Sequence, residues 1–342
     1  MIKLLRKDRQ RVALKTTAPV SVIVPTLRRP GFLQRCLSSI ALQKILPDEV
    51  LIGIRPDDEL SPPVLSAFSE KLQIKPVEAM GVGVVGSMNS CLAEATGHFI
   101  ALVDDDVELP PHWMERMIHH LENYPDVLGA SGRDLLLDDP AMRCSETRTT
   151  DVGQLHWFGR ITGNHHRGTG LPRKVDLLRG SNCLFRGDFL RGVGFDVRLR
   201  GQGAQVHWES AIALQARQQQ KRLFYDPEVE VLHHVAPRMD ADQIHRGRFS
   251  YSATVDLAHN ETFVILKYGS GLFWWTALLW QLLVGSQTCP GVAILIRNAI
   301  NLRALQRRKV QATIKGRYLA WITLRKSCTK ADKKRESSCT KH

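Results

Sequence analysis

The chain has 342 residues, of which 43% are hydrophobic and 24% charged, so it can bury a sizeable core and is not disordered over most of its length. Lys and Arg number 47 against 34 Asp and Glu, a formal charge of +13 at pH 7. Such an excess attracts the phosphates of nucleic acids, anionic membranes or phosphorylated substrates. It is concentrated at the two ends of the chain, so the overall charge does not by itself indicate a nucleic-acid binder.

The cysteines and the N-terminus bear on the compartment. The seven cysteines are scattered and form no C-x-x-C pair, which argues against a disulfide framework or structural zinc and fits a reducing cytosol. No apolar run follows the basic residues 1–18, so this arm does not fit a secretory signal. We therefore expect a cytoplasmic protein with a poorly ordered basic N-terminal arm.

Short apolar runs alternate with segments of helical spacing over the first half of the chain. The predicted elements are strand 20–24, helix 32–42, strand 49–54, helix 65–72, helix 86–95, strand 99–103, helix 111–121 and strand 127–131. This alternation predicts an α/β domain with a mostly parallel sheet and right-handed crossovers.

The middle of the chain is less regular. Residues 138–175 are rich in Arg, His, Gly and Thr, and we expect them to form a long substrate-facing loop. The domain resumes with residues 177–185, helix 209–219 and strand 223–225, and a polar, turn-rich segment follows to residue 259.

The C-terminal third is different in character. Residues 268–296 contain no charged side chain, but Gln281, Gln287 and Pro290 interrupt the apolar run. A Trp-rich pair of core helices, an interfacial or re-entrant membrane segment and a true span all remain open. The basic residues that follow favour anionic lipid headgroups. Residues 327–342, rich in Lys and Ser, predict a disordered tail.

Three adjacent carboxylates, Asp104, Asp105 and Asp106, directly follow the apolar strand 99–103. Open parallel sheets bind ligands outside the carboxyl ends of their strands, and clustered carboxylates are costly to desolvate without a cation. Oxygen ligands of this type suit Mg²⁺ or Mn²⁺ bound together with substrate phosphates. The triplet predicts a divalent metal site, with a solvated acidic turn as the alternative.

A glycine motif at residues 81–86 (GVGVVG) matches the G-x-G-x-x-G pattern of dinucleotide-binding turns. That pattern should follow a strand directly, but residues 75–80 contain Pro76 and do not predict one. The motif also belongs to the third unit of the fold rather than the first. It favours a Gly-rich helix start near a nucleotide and keeps an NAD-dependent oxidoreductase as an alternative.

Two further sites are candidates for chemistry. Glu209 follows Trp208 at the start of a predicted helix, where a carboxylate beside an indole can have a raised pKa and act as a general base. The alternative is a glutamate that only complements the helix dipole. His233 and His234 end a strand-like run, and imidazoles there suit either a metal site or a structural role.

These segments, in this order, resemble the family 2 glycosyltransferases, inverting enzymes with a GT-A fold. The resemblance covers about residues 18–235 and is carried by VSVIVPT (20–26), PDEVLIGI (47–54), NSCLAEATGHFIALVDDD (89–106), PPHWM (110–114), GSNCLF (180–185), GFD (194–196), WE (208–209) and the stretch from Tyr225 to His233. It departs from the family at Glu209, where Asp is usual, and at Met88, where Arg is frequent.

The resemblance implies a role for each matching position. The metal ligands would be Asp104 and Asp106 with His233 or His234, the ion being Mn²⁺ or Mg²⁺, and Glu209 would be the catalytic base. The nucleotide-sugar donor would be bound by Pro25, Thr26, Arg28, Asp57, Asp58, Asn89, Asp104 and Asp105, and the acceptor side would include Asn182 and Trp208.

Taken together, the sequence predicts a GT-A catalytic domain over residues 19–240 and a helical, membrane-associated region over residues 241–326. The activity expected is metal-assisted transfer of a sugar from a nucleotide-diphosphate sugar to a glycan or lipid-linked acceptor, at the inner face of the cell membrane. A non-enzymatic basic membrane adaptor is a further alternative. Nucleic acid is not expected as a partner, because aromatic-interleaved basic patches are missing from residues 19–240.

Overall fold

The computed structural model describes residues 18–137, 147–237, 249–293 and 304–339, with side chains described as far as residue 326. The basic arm expected at residues 1–18 therefore lies outside the described residues, apart from Ala18. The same holds for parts of the expected loop at residues 138–175 and of the expected tail at residues 327–342.

A mixed sheet forms the centre of the molecule. Its strands are β1 (Val20–Pro25), β2 (Glu49–Ile54), β3 (Ile74–Glu78), β4 (Phe99–Val103), β5 (Val107–Glu108), β6 (Val127–Leu136), β9 (Arg173–Val175), β10 (Asn182–Arg186) and β11 (Arg222–His233), while β7 (Gln154–Leu155) and β8 (Ile161–Thr162) form a separate hairpin. The strand order is β3-β2-β1-β4-β10-β6-β11-β5, with β9 also paired to β11. Strands β3, β2, β1 and β4 run parallel, β10 runs antiparallel to β4 and β6, and β11 runs parallel to β6.

Helices cover both faces of this sheet. They are α1 (Pro30–Ala41), α2 (Pro62–Leu65), α3 (Gly83–Glu94), α4 (Trp113–Asn123), α5 (Gly187–Val193), α6 (Trp208–Gln218), α7 (Tyr251–Tyr268), α8 (Gly271–Leu283) and α9 (Ala304–Cys339). Side chains of a strand alternate between faces, so Val22 of β1 packs in the cluster formed with α1 and α4. Its neighbour Ile23 packs in the cluster formed with α3 and α6. The predicted α/β architecture, with a mostly parallel sheet between helical layers, is confirmed.

Several predicted elements have different bounds. Residues 74–78 form the edge strand β3 despite Pro76, which an edge position tolerates because one side of the strand needs no ladder hydrogen bond. The helix predicted over 65–72 is reduced to α2 and one 3₁₀ turn, Ser66–Phe68. The polar segment before residue 259 contains the first half of α7, which was not predicted.

Strand β11 is longer than expected and positions part of the site. It continues through the short run predicted at residues 223–225 to His233, with an irregular register between Asp226 and Glu230. Beyond that irregularity it pairs antiparallel with β5, which sets His233 opposite Val107. The amide of His234 then donates to the carbonyl of Asp106 (2.8 Å). The end of β11 is therefore fixed against the acidic triplet.

The apolar C-terminal stretch is divided rather than continuous. It contains the end of α7, all of α8 and the turn that follows, in which the amide of Gly291 donates to the carbonyl of Val284. Over the described ranges, none of the helices combines the length and the apolar character that crossing a membrane requires. Helix α9 continues over residues 327–339, where the sequence predicts disorder; Ala, Lys, Arg and Glu in that stretch are good helix formers.

Candidate active site

A cleft of about 260 Å³ opens where β1 and β4 end and where α3 and α6 begin. Of the side chains predicted for chemistry, the structure brings together in its lining Pro25, Thr26, Asp104, Asp106, Trp208, Glu209 and His233. The predicted residues that lie outside this lining are Arg28, Asp57, Asp58, Asn89, Asp105, Asn182 and His234. Side chains that are far apart in the sequence, including carboxylates and an imidazole, thus share one cavity.

The three consecutive aspartates point in different directions. Asp104 lines the cleft, and its amide donates to the carbonyl of Ser181 (3.0 Å). Asp105 is fully buried and accepts hydrogen bonds from Thr26 Oγ1 (2.6 Å) and from the guanidinium of Arg29. Burial raises the pKa of Asp105 to about 7, although Arg29 opposes the shift. Asp105 is therefore held by the protein itself rather than presented to a ligand.

A possible ligand set for a metal ion is formed by Asp104, Asp106 and His233. One ligand atom from each lies within 4.8 Å of the other two. His233 Nε2 is 3.4 Å from Asp106 Oδ1, and its Nδ1 is 3.7 Å from Asp134 Oδ2, too far for a hydrogen bond. Burial disfavours the charged ring, yet the carboxylates of Asp106 and Asp134 raise the pKa of His233 to about 9.

This arrangement fits a divalent cation. Two carboxylates and one imidazole are oxygen and nitrogen donors of the kind that Mn²⁺ and Mg²⁺ sites use, with the remaining positions left for phosphates. The buried Nδ1 of His233 faces Asp134 at 3.7 Å without a hydrogen bond; a carboxylate in that place is the kind of group that orients a ligand histidine once the two are hydrogen-bonded. Asp134 is itself held by Arg179 Nε (2.8 Å) and Ser181 Oγ (2.7 Å).

The second histidine of the pair lies apart from this set. His234 Nε2 is 2.5 Å from Glu108 Oε1, and its Nδ1 is 3.3 Å from Arg35 Nη1. Neighbouring residues at a strand end face opposite sides, so only one ring of the pair is directed to Asp106. The role of metal ligand predicted for His234 does not agree with this placement.

Arg29 was not among the predicted site residues. Its side chain lines the cleft, pairs with Asp105 and lies 3.3 Å from Asp106 Oδ2. Despite burial, which opposes the charged form, these carboxylates raise the pKa of Arg29, so the guanidinium stays charged. One negative charge of the triplet is thereby neutralised, and two remain for a divalent cation.

Glu209 lines another part of the cleft, at the start of α6. Burial, assisted by the nearby charge of Asp104, raises the pKa of Glu209 to about 7. Trp208 packs edge-on against Phe195, with 5.4 Å between ring centroids. Gly180 leaves room for this wall, because a Cβ at residue 180 would overlap the indole of Trp208 and approach Glu209 Oε1 to 3.1 Å.

The glycine motif and the start of α3 form a further part of the cleft lining. Gly83 begins α3 with φ of 65°, a left-handed conformation that favours glycine, and Val84 and Ser87 also line the cleft. A loop over residues 201–207 closes over this helix start, where the Val84 amide donates to the carbonyl of Gly203 (2.9 Å) and the Val85 amide to Gln205 Oε1 (3.0 Å). The first amides of α3 are therefore already bonded to the chain.

Other residues predicted to contact the donor make hydrogen bonds and ion pairs within the protein. Arg28 pairs with Asp57 (2.8 Å), and Asp58 accepts from the Arg28 amide (2.6 Å). The amide of Asn89 is used twice on the backbone of Phe195. The polar groups of Arg28, Asp58 and Asn89 thus stabilise the turn and loop around the cleft, and their contacts with a donor stay predictions.

Asn182 is likewise a structural residue and not a lining one. Its side chain is fully buried, donates to Asp134 and accepts from the amide of Gly132 (2.8 Å). Asp134, Arg179 and Gly180 are site residues that the sequence did not single out. The available signal was their position: Arg179 directly precedes the GSNCLF stretch that carried the resemblance, and Gly180 is its first residue.

Comparison with known proteins agrees with this geometry. The family model described as Glycosyl transferase family 2 matches residues 21–178. A glucosyl-dolichyl phosphate glucuronosyltransferase of Haloferax volcanii is 28% identical over 144 residues, which is 40% of this chain and 43% of that protein. The alignment thus spans about two fifths of that relative's length.

Solved structures share the fold at low sequence identity. A mannosyltransferase of Pyrobaculum calidifontis, solved with GDP-Man and Mn²⁺, superposes with a TM-score of 0.51 at 17% identity over 87% of each chain. Residues 1–349 of TarS from S. aureus, solved with UDP-GlcNAc, give 0.55 at 12% identity, covering 86% of this chain and 79% of that one. The GT-A fold is confirmed, and residues 21–178 match the family 2 glycosyltransferases.

Proposed function

We propose that this transferase moves a sugar from a nucleotide-diphosphate sugar to a glycan or lipid-linked acceptor, with inversion at the anomeric carbon. The observation that carries the proposal is that Asp104, Asp106 and His233 share one cleft with Glu209. Two neighbours in fold were solved in complex with GDP-Man and with UDP-GlcNAc, and a relative is named for a dolichyl phosphate substrate, which supports these substrate classes.

The donor diphosphate would lie on the acidic wall. Asp104, Asp106 and His233 would hold Mn²⁺ or Mg²⁺, which as a Lewis acid would stabilise the charge on the departing nucleoside diphosphate. Asp134 would position the His233 ring when a metal ion is bound, and Arg29 keeps the buried Asp105 paired beside the ligands. These contacts preorganise the site, so that little rearrangement is needed as charge develops.

Glu209 is suited to act as the general base. An inverting transfer needs one in-line attack by an acceptor hydroxyl, whose proton passes to a carboxylate oxygen of Glu209 as the new glycosidic bond forms and the bond to the diphosphate breaks. A pKa of about 7 is favourable, because the carboxylate is substantially ionised near neutral pH and still basic enough to accept the proton. Trp208 borders this wall and would contact the acceptor.

The chain organisation fits this division of labour. We propose residues 19–240 as the catalytic domain and residues 241–326 as a helical region that brings it to the cytoplasmic face of a membrane. The tight packing of α7 against α6 and α8 joins the two regions, since Phe263, Val264 and Phe273 belong to the same core cluster as Trp208.

Donor binding and chemistry can be tested separately. Thermal shifts with UDP-, GDP- and dTDP-sugars in the presence of Mn²⁺ should identify one stabilising nucleotide. Asp106→Ala and Glu209→Ala should each abolish metal-dependent release of nucleoside diphosphate while the fold stays intact. Asp188→Ala, at an exposed carboxylate on α5, is the matched control and should keep full activity. Full activity of either cleft variant, or stabilisation by NADH instead, would contradict the proposal.

A further inference from the structure

Helix α8 leaves one face uncovered by the described part of the chain. Phe273, Ala277 and Gln281 are buried against the rest of the protein. On the opposite side, Leu272 is 75% exposed, Trp275 69% and Leu279 56%, and Leu282 and Leu283 continue the same stripe. These positions recur at helical spacing, so they form a single apolar surface along the helix.

The β7–β8 hairpin extends this surface. Trp157 at its tip is 66% exposed, and its carbonyl accepts from Thr276 Oγ1 (2.7 Å). Gly159 packs directly on Ala277, and Phe158 contacts Trp280 with 4.6 Å between ring centroids. The hairpin tip and the helix are therefore joined as one unit, here called the hairpin–helix face: Trp157, Leu272, Trp275, Leu279, Leu282 and Leu283.

The exposed charged side chains that border the hairpin–helix face include two arginines. Residues 269–293 and the hairpin residues 154–162 contain no acidic side chain. Arg217 is exposed with its guanidinium 4.9 Å from the Phe273 ring centroid, and Arg160 is exposed on the hairpin. The acidic groups near these segments are paired with cations: Asp196 is 4% exposed and bound to Lys267, and Asp176, next to the hairpin, is bound to Arg222. The border therefore attracts anions.

We propose that the hairpin–helix face rests in the interfacial layer of an anionic lipid bilayer. Trp and Leu side chains beside Arg match that layer, where apolar side chains meet acyl chains and cations meet phosphates. Helix α8, with 13 residues, is about 20 Å long, shorter than the roughly 30 Å hydrocarbon core. A second copy of the chain fits this face less well, because a twofold contact would oppose like charges.

The biological role of this membrane contact rests on the proposed function, whereas membrane binding itself can be tested without it. The amide of Leu155 donates to Asp176 Oδ2 (3.1 Å), and the amide of Leu177 donates to the carbonyl of Gly153 (3.0 Å). The segment bonded to the hairpin leads within a few residues to Arg179 and Gly180 in the cleft wall. A bilayer under the hairpin would thus hold a lipid-linked acceptor near Glu209.

Vesicle flotation of the full chain tests the inference directly. The probe is a vesicle of phosphatidylcholine with about a third phosphatidylglycerol, compared with pure phosphatidylcholine. We expect the unmodified chain to float with the anionic vesicles and the variant Trp157→Ser/Trp275→Ser/Leu279→Ser to bind roughly tenfold less or worse, since each buried apolar side chain is worth a factor of that order. Arg160→Gln/Arg217→Gln should weaken binding and reduce its sensitivity to salt.

A matched control carries three serines at equally exposed apolar positions elsewhere. Leu42, Leu171 and Val197 serve this purpose, and Leu42→Ser/Leu171→Ser/Val197→Ser should float like the unmodified chain. Melting temperatures report whether each variant folds.

Three results would overturn the inference: no flotation of the unmodified chain, flotation of the face variant at the unmodified level, or a dimer in light scattering that only the face variant dissociates. Normal flotation without any nucleoside diphosphate release would instead refute the transferase proposal and leave the docking face supported.

Discussion

Replacing Gly180 by alanine is the sharpest single perturbation of the proposed catalytic wall. The new methyl group would overlap the indole of Trp208 and come within 3.1 Å of Glu209 Oε1. Carbon atoms pack at about 3.5–4.0 Å, so the indole must move by more than about 1 Å. It cannot swing freely, because Trp208 is buried against Phe195.

The expected magnitudes follow from this forced movement. Overpacking of a tight site costs about 1–3 kcal/mol of unfolding free energy, which corresponds to a fall in Tm of about 2–4 °C for each kcal/mol. A displacement of about 1 Å in a catalytic group can cost about 100-fold in rate. We therefore expect Gly180→Ala to lower kcat about 100-fold, with a smaller effect on donor affinity, because the added methyl group would meet Trp208 and Glu209 rather than the proposed metal ligands.

The assay is the initial rate of nucleoside diphosphate release at saturating donor, together with denaturant unfolding of the same preparations. Gly192→Ala is the matched control: among the described residues no atom lies within 4 Å of the added methyl, and the position is in α5. That control should keep its activity and gain up to about 1 kcal/mol in stability. An unchanged kcat for Gly180→Ala would show that Trp208 and Glu209 do not form the reacting wall.

Further predictions concern the same cleft. Glu209→Gln should lower kcat by about 100-fold or more without weakening donor binding measured by calorimetry. Burial, and to a smaller extent the charge of Asp104, raises the pKa of Glu209 to about 7. Because a general base must be ionised, kcat should rise with pH and level off above about 7. A rise of kcat centred near pH 4.5, the ordinary pKa of glutamate, would contradict this assignment. Asp106→Asn should remove stabilisation by Mn²⁺ in a thermal-shift titration, whereas Asp188→Asn should retain it. Asp134→Asn should weaken Mn²⁺ binding about 10- to 100-fold, because it loosens His233 rather than removing a ligand; an unchanged Mn²⁺ affinity would argue against that positioning role.

The strand-end carboxylates show how far local pattern reaches. A buried β-branched run followed by Asp104 fixes both the strand and the edge of the sheet at which it ends, and parallel strands collect their carboxyl ends at one edge. The pattern does not tell the three carboxylates apart. Asp105 is bound to Thr26 and Arg29, whereas Asp104 and Asp106 line the cleft. Which carboxylate is buried therefore depends on contacts with residues beside β1 and α1.

The residues that were missed share one property: their roles depend on partners far away in sequence. Asp134 lies beyond the strand predicted at residues 127–131, in the part of β6 that only the structure shows, and only the pairing of β11 with β5 and β6 brings His233 beside it. Asn89 is the opposite case, a residue that was predicted for the site and does not line the cleft. It stands in a stretch that resembles the family, yet its amide is used on Phe195, more than a hundred residues away in the chain.

Sequence alone predicted the alternation of strands and helices, an acidic site of the type that can bind a metal, and the resemblance to the family, because each depends on residue types at short spacing. Tertiary structure decided which histidine meets the aspartates, which carboxylate is the buried partner of Arg29, and which side of α8 remains uncovered. Those outcomes depend on register and packing between distant segments, and hydrophobic periodicity carries no information about either. The same residues in another register would keep every local pattern and still lose the cleft.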